Sequence, residues 1–143
     1  MLNRFAALVL AIAMFAGCSA PAQSPAAKNA PAPPIGKSTV VGRVISTVTN
    51  KPLVDTMIRL AEVDRTVVKD DAIYLLNEAF SPGHRTDNDG NFVIVNVDPK
   101  EYVVIISNDL GRNAVVQKDG KAATWTTEAG KVLDVGEVRI NYP

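Results

Sequence analysis

The sequence predicts an all-β fold, a single β-sandwich of about seven strands, on three observations. From Ser38 onward β-branched and aromatic residues come in short runs, and turn residues interrupt those runs every 8 to 12 positions. Within the runs apolar and polar side chains alternate, the period of a strand with one buried face. The 106 residues from 38 to 143 also form one domain's worth of chain, large enough to bury roughly 60 to 65% of its unfolded surface without a disulfide or metal.

Taken in order, the strand candidates are 40–46, 56–63, 91–97, 102–107, 114–117, 122–127 and 131–140. Between them stand Thr49-Asn50-Lys51-Pro52, Ser81-Pro82-Gly83, Asp87-Asn88-Asp89-Gly90, Asp98-Pro99-Lys100, residues 108–111, Asp119-Gly120 and Ala129-Gly130, all turn formers. Ile58 and Leu60 flank Arg59, so the two aliphatics point inward and the arginine outward. Phe92 with Ile94, and Tyr102 with Val104 and Ile106, share faces in the same way. In the last run Leu133 and Val135 have one parity and Val138 and Ile140 the other. A bulge at Gly136, where the parity switches, would keep all four on one side. Residues 71–80 fit two readings. Ile73, Leu76 and Phe80 have helical spacing behind an Asp70-Asp71 cap, whereas Ile73-Tyr74-Leu75-Leu76 reads as a strand. The extended reading suits the surrounding strands better.

The chain has 143 residues with 15 basic and 15 acidic side chains, one His and one Cys. Balanced charge argues against nucleic acid as a partner, and one Cys with one His makes neither a disulfide nor a zinc site. Residues 1–17 form one processing unit: Arg4 supplies positive charge, and residues 5–16 are an unbroken apolar run of twelve, too short for a bilayer span of about 20 residues. Such a segment is a signal peptide, removed on export. Phe15-Ala16-Gly17-Cys18 resembles the lipobox of bacterial lipoproteins, with Phe15 where Leu is usual. The resemblance implies cleavage between Gly17 and Cys18 and acylation of Cys18 by a diacylglycerol and chains such as palmitate. Two or more chains at about 0.8 kcal/mol per buried methylene anchor a domain stably. Ser19 then implies an address at the outer membrane if the host has one.

Residues 18–37 carry that Cys and a linker. Eleven of the nineteen residues after it are Ala or Pro, and Pro21, Pro25, Pro31, Pro33 and Pro34 oppose helix and sheet, predicting a disordered, extended tether of roughly 60 Å at most. Arg4, Lys28 and Lys37 precede residue 38 and all 15 acidic residues follow it, leaving the 38–143 domain at −3. An acidic surface is not drawn to anionic lipid, so the acyl chains would do the holding.

Gly42-x-Val44, Asn50-Lys51-Pro52-Leu53, Ile58-x-Leu60, the run Thr86-Asp87-Asn88-Asp89-Gly90-Asn91-Phe92 and then Val97-Asp98-Pro99-Lys100-Glu101-Tyr102 resemble the carboxypeptidase regulatory-like family. That family has a prealbumin-like (transthyretin-like, Ig-like) sandwich. Lys100 stands where the family's Pro-Gly turn has Gly, and residues 61–85 exceed its usual connection. The resemblance implies a binding or structural module without catalytic residues or cofactors.

Three candidate sites remain. Ser81 and His84 could begin a hydrolase site, but they share one turn and need a carboxylate and an oxyanion hole from elsewhere, so a solvent-exposed turn His is the simpler reading. The fold relative that hydrolyses 5-hydroxyisourate ends Tyr-Arg-Gly-Ser, and this sequence ends Arg139-Ile140-Asn141-Tyr142-Pro143. Asp87, Asp89 and Asn91 offer alternate oxygens to calcium, yet Gly90 is fourth, not sixth, from Asp87, which favours a plain hairpin turn. Trp125, with Tyr142, could stack on a sugar, although Trp is more often packed in a core. The expectation is a non-enzymatic, lipid-anchored envelope protein binding an envelope protein or polysaccharide. Its rivals are a carbohydrate-binding lipoprotein and an accessory subunit of a membrane enzyme or transporter.

Overall fold

The computed structural model describes residues 23–67, 72–77, 79–107 and 111–142. Gly17, Cys18, Ser19 and the Asp70-Asp71 pair fall outside the described residues. Eleven strands follow one another: β1 Ser38–Ser46, β2 Met57–Asp64, β3 Ile73–Leu75, β4 Gly83–Arg85, β5 Asn91–Val97, β6 Glu101–Ser107, β7 Asn113–Val115, β8 Gln117–Lys118, β9 Lys121–Ala122, β10 Thr124–Thr126 and β11 Val132–Ile140. No α-helix occurs among the described residues.

The strands form a sandwich. One sheet has the order β11-β1-β5, with β1 antiparallel to β5 and parallel to β11. The other runs β10-β6-β2-β3, with β4 also on β2 and β7 also on β6, while β8 and β9 make a small hairpin over the Asp119-Gly120 turn. Val40, Val44, Phe92, Ile94, Val97 and Val138 from the first sheet meet Ile58, Leu60, Tyr102, Val104 and Ile106 from the second in a single buried cluster. The alternation assigned the faces of Ile58, Leu60, Phe92, Ile94, Tyr102, Val104 and Ile106 correctly, because a one-residue slip would have turned every one of them to solvent.

Gly136 is the bulge. Between Val41 and Arg43 on β1 the partner register advances from Asp134 to Glu137, so β11 carries one extra residue, and Gly136 takes φ +76°. Its amide donates to Asp134 Oδ1 at 2.8 Å. Leu133, Val135, Val138 and Ile140 consequently all pack on the core.

Several expectations change in detail. Of the 73–76 run, Ile73–Leu75 is extended, as β3, so the helical spacing of Ile73, Leu76 and Phe80 is unused. His84 sits on a strand, β4, instead of a turn. β3 pairs with residues 62–64 and β4 with 57–59 of β2, so together they make one interrupted edge strand. The expected strands 114–117 and 122–127 are broken into β7 to β10. The proline-rich stretch has no regular structure over residues 30–34, but Pro25–Asn29 forms a 3-10 turn. Proline is compatible there because the first helical residue needs no amide donor.

Candidate binding groove

The two sheets do not close along one side. There the three-residue edge strand β10 faces the free edge of β11, and the β8-β9 hairpin overhangs the gap. The result is a groove of about 980 Å³ lined by Trp125 and Thr124, by Lys118, Lys121 and Ala123, by Val135, Gly136 and Arg139, and at one end by Gln23. The local sequence explains each wall. Trp125 pairs with Tyr102 across the ladder, and cross-strand partners share a face, so its ring turns toward the sandwich interior as Tyr102's does. With no further strand beyond β10 among the described residues, the ring fills the open margin and stays half-buried, packed on the core cluster. Opposite it, the Gly136 bulge bends β11 and sets Val135 at the groove wall.

Three cations, Lys118, Lys121 and Arg139, and three anions, Asp119, Asp134 and Glu137, ring this groove. Two of the anions are already engaged. Glu137 pairs with Arg139 at 2.7 Å and with Arg43 at 3.6 Å, and Asp134 accepts from Ser24. The groove therefore has no strong field of one sign, and an apolar ring with backbone edges and neutralised charges is its chemical character.

Tyr142 does not join Trp125. It follows Ile140, whose partner is Ser46 at the last position of β1, whereas Trp125 lies near the start of β6. Its carbonyl accepts from the Ser46 hydroxyl, and its ring packs half-buried on the core outside the groove. The two aromatics make no common platform.

Asp87, Asp89 and Asn91 do come together, in the β4-β5 turn. Asp87 Oδ1 accepts the amides of Asp89 at 2.9 Å and Asn91 at 2.8 Å, and its Oδ2 accepts Asn91 Nδ2 at 3.1 Å. Burial pushes the Asp87 carboxyl upward, but these donors outweigh that push and hold it below the usual carboxylate range. Both oxygens thus serve the turn, with Gly90 at φ +76° closing it. Among the described residues no group of three His, Cys, Asp or Glu could hold a metal ion.

Ser81 and His84 are each tied locally. Ser81 Oγ accepts the Asn77 amide at 2.9 Å, and exposed His84 places Nδ1 2.7 Å from the Arg85 carbonyl oxygen. Beside them is a smaller cleft of about 520 Å³, between the Pro25–Asn29 turn and β4-β5, lined by His84, Arg85 and Asp87. Of the groove residues, sequence reasoning found Trp125 alone. Lys118, Lys121, Val135 and Arg139 meet it only through tertiary structure, and the parity switch at Gly136 was the one local sign that β11 would bend there.

No family model and no curated protein matches the chain. Solved structures similar to it include a 9R-lipoxygenase from Cyanothece PCC8801, at 21% identity and a TM-score of 0.46 over 79% of this chain and 18% of that one. The major pilin subunit of Bacillus cereus is similar at 9% identity and a TM-score of 0.40, over 73% of this chain and 29% of that one. A candidate carbohydrate-binding protein from Pseudomonas aeruginosa is similar at 13% identity and a TM-score of 0.43, over 85% of this chain and 100% of that one. The chain thus spans less than a third of the lipoxygenase and pilin chains. The class defined by fold and groove is an all-β sandwich with an open, polar-rimmed margin.

Proposed function

We propose that this chain is a non-enzymatic, lipid-anchored protein of the bacterial cell envelope, exported by residues 1–17 and acylated on Cys18, whose sandwich binds an envelope partner in the β10-β11 groove. The observation that carries the binding reading is the groove itself, with Trp125 presented between two free strand edges. Its neutral balance of charge suits an uncharged polar chain, a polysaccharide segment or an extended peptide, better than a strongly anionic one. Trp125 is the chain's only tryptophan, so its emission reports occupancy directly. Titration with soluble cell-wall polysaccharide fragments is expected to shift that emission saturably, and Thr124→Arg, which fills the groove from its exposed rim, to abolish the shift.

The accessory-subunit reading keeps one observation of its own. Val67, Tyr74, Leu75 and Phe80, on and around the β3 edge, are exposed, Phe80 at 83%. A photo-crosslinking residue placed in turn at Thr124 and at Phe80 in intact cells separates the two. Adducts from Thr124 support groove binding, while adducts from Phe80 alone would replace it with docking on the β3 edge. An intact-mass measurement of native protein tests the acyl anchor.

A further inference from the structure

Thr39, Val41 and Ile45 on the outward face of β1 are buried, although among the described residues neither main sheet packs there. Val41 is 0% exposed, yet it stands on the outer face between Val93 of β5 and Asp134 of β11. The Pro25–Asn29 turn packs on β1 and β5 and covers it. At the head of that turn Ser24 is 2% exposed, its amide donates to Asp134 Oδ2 and its hydroxyl to Asp134 Oδ1, each at 2.8 Å. The far end of the stretch is also held. Lys37 Nζ pairs with Asp98 at 2.6 Å, and the Gly130 amide donates to the Lys37 carbonyl at 2.7 Å. Half-buried Asp134, which also accepts the Gly136 amide, loses two of its three donors when Ser24 leaves, so the docked state is favoured.

We infer that the segment from Ser24 to Lys37 is a docked mount, not a leash, and that it holds the groove against the lipid surface. This rests on acylation of Cys18 as proposed above. A trans chain advances at most about 3.6 Å per residue, so Ser24 stays within about 22 Å of Cys18, where a free proline-rich tether would reach roughly 60 Å. Gln23, at the groove's end, is nearer still. The groove is therefore held close to the headgroup layer, and its ligand meets it there.

The test uses natively acylated full-length protein in phosphatidylethanolamine and phosphatidylglycerol vesicles with dansyl-labelled headgroups, reading energy transfer from Trp125. Strong transfer is expected. A ten-residue Gly-Ser insertion between Ala20 and Pro21 should cut it at least twofold. Ser24→Pro should do the same, because φ −67° and ψ 147° already suit proline while both donors to Asp134 disappear. Transfer in wild type as weak as in the insertion variant, or unchanged in Ser24→Pro, overturns the mount. If mass measurement finds no acyl group, it is the anchoring that fails. Docking is then judged by exchange of the Ser24 amide in the full chain: slow exchange upholds it, and exchange at the free-peptide rate overturns it.

Discussion

The middle of the sandwich and its margins are built on different terms. β1, β2 and β6 are seven to nine residues long, pair on both sides and bury most of the apolar side chains they carry, and seven-residue β5 adds Phe92, Ile94 and Val97 to the same core. β3, β4 and β7 to β10 are two or three residues long and half-exposed. Long central strands resist any change, whereas short edges can vary, which is where binding residues are usually found. The groove lies at the margins, between the long edge strand β11 and the short β8-β9-β10 series.

The largest expected effect tests the centre. Phe92 is 1% exposed at the middle of the core, and Phe92→Ala should cost about 3 to 5 kcal/mol in denaturant unfolding. A loss below 1 kcal/mol would mean that the centre is not close-packed.

Next comes pH. Burial first, then the charges of Asp98 and Glu62, push the Tyr102 phenol up to about 12, while its hydroxyl donates to the Asp98 carbonyl. Its folded value lies above its unfolded value near 10, so the stabilisation is complete below pH 10 and is lost as pH rises toward 12. Unfolding free energy should drop over that window by as much as about 3 kcal/mol. Tyr102→Phe should flatten the drop, and an unchanged pH profile in that variant would assign it to another group.

Thr86 marks the border between the two regions. Its hydroxyl donates to the Leu53 carbonyl at 2.6 Å and accepts the Thr56 amide at 3.0 Å, which fixes the turn leading into β2. Thr86→Val should leave both partners unmet and cost about 1 to 3 kcal/mol in thermal unfolding. At the margin itself, Phe80→Ser should change stability by no more than about 0.5 kcal/mol, because the ring already faces water. A clear destabilisation would show that the margin packs as the centre does.

The same division decided what could be read from the sequence. Central strands carry their own evidence in alternation, and even the Gly136 bulge is written in the parity of Leu133, Val135, Val138 and Ile140. β4 was missed because Ser81-Pro82-Gly83 reads as a turn, and Gly83-His84-Arg85 has no β-branched residue. β8 and β9 were too short for any period to register. The docked N-terminal stretch was illegible for another reason: its local composition opposes structure, and Ser24 meets its partner 110 positions away. Trp125 could be flagged by type, but its groove exists only where two edges from distant segments fail to meet.

The first and last long strands lie side by side and point the same way, matched from Thr39 with Val132 to Ser46 with Ile140. Tension applied between the start of one and the finish of the other would slide them lengthwise, loading the whole ladder at once instead of peeling it rung by rung. Rupture under such a pull depends on the unfolding rate and not on equilibrium stability. A pull applied at those two points would meet its greatest resistance at this seam.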